Sequence, residues 1–144
     1  MAITYDEIAY DEIELGLRSI ISKEFSNVYI ANNFAMNGNE CIRFNLISST
    51  SLEQATNYEQ REYNVNIRYY HNADTDIEMV NKSVKGKIDR LRKHLLDNQV
   101  NTSKNWSALI IDEINYDVED EENEEVSSIH IAEFNITIRH HNAF

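Results

Sequence analysis

The sequence predicts an α+β domain: two helices packed on one face of a mostly antiparallel sheet of four to five strands, in the order α-β-β-β-α-β-β. Three observations carry this expectation. Ile77, Val80, Val84, Ile88, Leu91 and Leu95 recur at helical spacing and form one apolar stripe. Tyr63, Val65, Ile67 and Tyr69 alternate with Asn64, Asn66, Arg68 and Tyr70, the two-residue period of a half-buried strand. Near the C-terminus two alternating runs, 106–118 and 126–140, flank a purely polar segment and read as a long hairpin over 106–140. Helices and strands that do not alternate regularly favour separate layers over a parallel βαβ sheet.

A helix is expected over 6–24. Thr4 and Glu7 have the spacing of a capping box. Acids crowd the first half, and Arg18 and Lys23 the second, as the helix dipole favours. Ala9, Tyr10, Ile13, Leu17, Ile20 and Ile21 share one face, and Ile8 and Leu15 lie roughly opposite. A short strand over 28–31 precedes a loop over 32–40 with Gly38 at its turn. Residues 41–48 alternate as a strand, 49–57 read as polar connection, and 58–71 form a long strand. The second helix opens on another capping box, Thr75 and Glu78, and ends before a polar loop over 98–105. In the last strand the apolar parity changes between Ile131 and Phe134, which predicts a β-bulge at Ala132–Glu133.

A length of 144 residues corresponds to one domain over 1–144 that can bury a full core without metals or bridges. The single cysteine, Cys41, allows no internal disulfide. The first ten residues are acidic and lack the pattern of a signal peptide, and no apolar run reaches membrane-spanning length. A net charge of −12 opposes wrapping of nucleic-acid phosphates, so no general DNA or RNA binding surface is expected. With no proline and three glycines, tight turns fall to asparagine, which tolerates the left-handed region.

No constellation of catalytic residues stands out. His71, His94, His130, His140 and His141 match no ligand spacing, and adjacent His140 and His141 on a strand point to opposite faces. Asp112, Glu113 and the acidic run beyond them could serve a cation or a metal-dependent nuclease. A restriction-like nuclease, however, needs an acid-x-lysine on the neighbouring strand, and the strands contain none. The acidic run has no glycine for a calcium loop. Gly16, Gly38 and Gly86 build no phosphate cradle, and Cys41 has no histidine near it in sequence. The expectation is a non-enzyme with no cofactor, no metal and no catalytic residue.

Binding features are more informative. Six of the thirteen Lys and Arg residues fall between positions 82 and 93. Lys82, Lys85, Arg90 and Lys93 therefore present either a solvated face or a docking face for an acidic neighbour. Glu119, Asp120, Glu121, Glu122, Glu124 and Glu125 concentrate negative charge at the hairpin tip. Such a loop does not pack on apolar surface: it meets water, a channel or a basic neighbour. Ile8 and Leu15, and the two-sided apolar run Leu109-Ile110-Ile111, leave more apolar surface than two helices cover, which points to a partner chain.

The order of helix, strands, long amphipathic helix and terminal hairpin, from about residue 6 to 139, resembles the tail terminator (tail completion) proteins of long-tailed bacteriophages. The resemblance rests on element order, length and the two helix patterns, and no functional residue carries over by motif. It implies a subunit that forms a hexameric ring with itself, caps the tail tube and joins it to the head–tail connector, with DNA only as passing cargo and no membrane. It implies a virion protein made in the host cytoplasm. An acidic tip would suit a channel wall that does not hold DNA. Another head–tail adaptor or neck protein is the alternative, and a metal-dependent nuclease is the alternative from a different class.

Overall fold

The computed structural model describes residues 7–30, 40–73, 77–120 and 128–143. A π-helical segment, Ile8–Glu14, runs into α1, Leu15–Ile21. Five strands follow in chain order with one long helix between the third and fourth: β1 Val28–Ile30, β2 Glu40–Ala55, β3 Tyr58–Ala73, α2 Ile77–Asp97, β4 Trp106–Asp120 and β5 Ser128–Ala143. The strands form one sheet in the order β1-β2-β3-β5-β4. β1 runs parallel to β2 and the other neighbours are antiparallel, so the sheet is mixed. Both expected capping boxes involve Thr4 and Thr75, which lie outside the described residues.

The core lies between the helices and one sheet face. Val84, Ile88, Leu91 and Leu95 of α2 and Ile13, Leu17, Ile20 and Ile21 of the first helical stretch are buried. They form one cluster with Ile42, Phe44, Tyr63, Val65, Ile67, Tyr69, Phe134, Ile136 and Ile138. The register explains the shared face: Tyr63, Val65 and Ile67 pair with Ile138, Ile136 and Phe134. α1 packs toward β1, while α2 packs toward β4 and β3, so the helices lie side by side over opposite edges of the sheet.

Three elements depart from expectation. The first helix is not α-helical from its start. Its opening i→i+5 turns rotate less per residue than α-helical turns, which shifts the phase of the apolar positions. Ile8 consequently packs against the core instead of standing opposite it, and Tyr10, expected in the stripe, is 48% exposed. Residues 49–57 are not connection: β2 continues to Ala55 and turns through Thr56 and Asn57 into β3. That half of β2 is exposed on both faces, so no apolar alternation marks it. Side-chain bonds across the ladder mark it instead, from Asn64 to Ser48 (3.0 Å), Arg61 to Ser49 (3.0 Å) and Gln54 to Glu59 (2.9 Å). Finally, β5 carries no bulge at Ala132–Glu133. Its pairing with β3 is continuous, and His130, Ala132, Phe134, Ile136, Ile138 and His140 all face the core. The irregularities of the β4–β5 pairing fall on β4, at Ser107 and Asp112, and bring Leu109, Ile111 and Ile114 onto the core side, while β2 carries two against β3, at Ile47 and Leu52.

Candidate assembly surfaces

The basic helix face divides into two halves. Arg90 is engaged within the chain: it contacts the Glu24 carboxylate, and its guanidinium lies 5.5 Å from the centre of the Phe25 ring. Arg90's hydrogen bond and charge hold the Glu24 carboxyl below its usual range. Lys93 meets Asp97 one turn on, at 3.1 Å. Lys82 and Lys85 are exposed and have no ion-pair partner among the described residues. Lys85 lines a groove of about 360 Å³ between α2 and the outer end of β4, whose walls include Val84, Ile88, Tyr116, Val118 and His130. Of the two apolar positions on the first helix, Leu15 is half-buried and Ile8 belongs to the core packing.

A cluster that the sequence reading missed ties α2 to the sheet. Lys87 reaches Glu40 at 3.1 Å, and the Tyr69 hydroxyl donates to the same carboxylate at 2.6 Å. Partial burial opposes ionisation of Glu40, but the Tyr69 and Lys87 hydrogen bonds and the charges of Lys87 and His71 outweigh it and hold the carboxyl below its ordinary value. Burial, together with Glu40, pushes the Tyr69 phenol far up. Burial first, then Lys87, keeps the His71 imidazole below its ordinary value. The sequence signal was there but indirect: Glu40 and His71 are cross-strand partners once the β2–β3 register is known.

The sheet face away from the helices is polar and largely self-satisfied. Asn66 donates to Asn135 at 3.0 Å. Thr137 donates to Asp112 at 2.6 Å. Arg139 pairs with Glu62 at 3.0 Å, and Arg68 lies 3.5 Å from Glu133. Asp112, a carboxylate considered for cation binding, is thus bonded to a hydroxyl of the next strand. Among the described residues no group of three His, Cys, Asp or Glu is placed to hold a metal. No described helix is long and apolar enough to cross a membrane. Glu119 and Asp120 end β4, and Glu121, Glu122, Glu124 and Glu125 lie outside the described residues.

No protein-family model matches the chain, and no curated protein is similar to it in sequence. Among solved structures, a chain in the virion of a native gene transfer agent particle aligns with a TM-score of 0.51 at 11% identity, over 93% of this chain and 92% of its own. A second solved chain aligns at a TM-score of 0.44 and 10% identity, over 90% and 94%, too distant to carry an argument. The class is therefore defined by fold: an α+β domain with two helices on one face of a five-stranded mixed sheet, an architecture shared end to end with a chain of that particle.

Proposed function

We propose that this protein is a virion structural subunit. More finely, it is a tail terminator that assembles into a ring, caps the tail tube and joins it to the head–tail connector without catalysing a reaction. The observation that carries this reading is the end-to-end fold shared with a chain of the gene transfer agent virion. The element order that resembles the tail terminators points the same way. Among the described residues, two sheet edges without a further strand and the unpaired Lys82 and Lys85 of α2 supply surfaces for neighbours. In this role the acidic run 119–125, most of which lies outside the described residues, would repel passing phosphates over a Debye length of about 8 Å.

Native mass spectrometry and electron microscopy of the purified protein, alone and with purified tail tubes, test the proposal. Rings, six-fold by the resemblance, at the end of the tube support it. A protein that stays monomeric and leaves the tube ends bare overturns it. Magnesium-dependent cleavage of DNA that disappears in Asp112→Ala or Glu113→Ala would overturn the non-enzymatic part.

A further inference from the structure

Among the described residues the two edges of the sheet, on opposite sides of the molecule, lack a further strand. β1 covers β2 only at Ile42, Arg43 and Phe44, so past Leu46 the outer side of β2 has no strand neighbour among the described residues. Residues 47–57 are exposed throughout, with Ile47 at 60% and Leu52 at 46%. At the far edge, β4 has β5 on one side and no described strand on the other along its 15 residues. Of the seven large apolar side chains that stand exposed among the described residues, five lie on these two edges: Ile47, Leu52, Ile110, Tyr116 and Val118. Unpaired strand edges of this length are templates for pairing with another chain.

Charge selects among the possible pairings. β4 carries Asp112, Glu113 and Asp117, so two copies meeting β4 to β4 bring like charges together. The outer half of β2 carries a single charge, Glu53. The strand directions agree as well, because β2 runs opposite to β4 within the sheet. A copy in the same orientation therefore offers β2 antiparallel to its neighbour's β4. Following the register across the sheet, Ile110 pairs with Thr137, Thr137 with Asn64 and Asn64 with Ser48. Ile110 is thus level with Ser48, next to Ile47, and Trp106 is level with Ser51, so the free half of β2 faces the first five residues of β4. The π-helical segment contacts β2 and, through Glu12, the start of β4; the same docking brings its exposed Asp11, and the exposed Glu7 just before it, toward α2 of the next copy. Lys85 marks the β4 side of α2, and Arg92, two turns on, shares that side. Lys82, Lys85 and Arg92 have no ion-pair partner among the described residues, although Asp89 shares their side of the helix and Asp117 of β4 lines the groove beside Lys85.

We infer that the occupant of the free β4 edge is a second copy of this chain, which adds the outer half of its β2 as an antiparallel strand. The contact is heterologous: each copy gives β2 to one neighbour and β4 to the other, the geometry that closes into rings. The inference rests on the proposed self-assembly and names its interface.

The cysteine variants Ile47→Cys and Ile110→Cys test it with a short bis-maleimide, since both positions are exposed and the native Cys41 is buried. Mixing the two variants is expected to give cross-linked dimers, each variant alone none, and the double variant a ladder of higher species. Asp11→Lys is expected to lower the yield several-fold, and Arg92→Glu in the same chain to restore it. Self-linking of Ile110→Cys alone overturns the inference in favour of a two-fold β4 contact. No cross-link in a sample whose native mass is oligomeric overturns the interface and leaves self-assembly standing. No cross-link in a sample that is monomeric with and without tail tubes overturns both.

Discussion

Glu12 and His140, 128 positions apart in the sequence, meet through their side chains beneath the first helical stretch. His140 is 2% exposed, and Tyr63 packs edge-on against its ring at 5.9 Å. Glu12 is held from three sides. Asn105 donates to its carboxylate at 3.0 Å, and the Trp106 indole donates to its main-chain carbonyl at 2.8 Å. Asn105 can do so because it occupies the left-handed region, φ 62°, at the turn into β4. The contact joins the N-terminal segment to the start of β4 and the end of β5.

Removing the carboxylate strands a buried imidazole. Glu12→Ala is expected to cost about 1–3 kcal/mol, the usual penalty for an unsatisfied buried polar group, and Glu12→Gln less. Thermal melts of the two variants check this. Equal melting temperatures for Glu12→Ala and the parent would show that the contact contributes nothing.

Two glycines should respond oppositely to alanine. A methyl group at Gly16 would lie 3.2 Å from the Trp106 ring, which is buried, and 3.3 Å from the flexible Lys104 chain. Gly16→Ala therefore overpacks a fixed ring, and a loss of about 1–3 kcal/mol is expected. At Gly86, on the exposed side of α2, nothing lies within 4 Å. Gly86→Ala should stabilise by about 0.5–1 kcal/mol through helix propensity alone. Urea unfolding of the pair reads both signs at once.

Leu91 and Ile88 anchor α2, at 0% and 2% exposure. Either residue changed to alanine should cost about 2–5 kcal/mol, combining lost transfer energy with a residual cavity. Chemical denaturation provides the measurement, and a midpoint unchanged in both variants would contradict the packing described.

Acid should loosen the corner where α2 meets β2 and β3. His71 has a folded pKa below its unfolded one, so its contribution is complete above about pH 6.5 and declines as the pH falls through the folded value. Glu40 is depressed too, so its contribution is present above about pH 4.3 and is lost as the pH falls through its folded value. The two losses run in the same direction. A stability profile between pH 7 and 3 should therefore slope downward toward acid, and Glu40→Gln should flatten its lower limb. A Glu40→Gln profile parallel to the parent would show that this carboxylate is not coupled to folding.

Elements whose side chains sort cleanly between water and core were legible from the residues alone. The stripe from Val84 to Leu95 and the alternation from Tyr63 to Tyr69 each have one buried face, so periodicity alone reveals them. The basic face of α2 was equally legible, because charge needs no partner to be read. The remainder depended on contacts between distant segments. The outer half of β2 has no buried face, so its strand state depends on β3 beside it and not on its own pattern. The parity change in β5 looked like a bulge until pairing showed that Ile129 and Ile131 lie on the side away from the core and that the extra residues belong to β4. Which cations remain available was also invisible in one dimension: Arg90 is taken by Glu24 and Lys87 by Glu40, 66 and 47 positions away, whereas Lys85 overlooks the groove beside β4. Local free energies along a chain set the period of each element. Which edges stay open, and which charges stay unpaired, follows from contacts between segments distant in sequence, which exist only after the chain has folded.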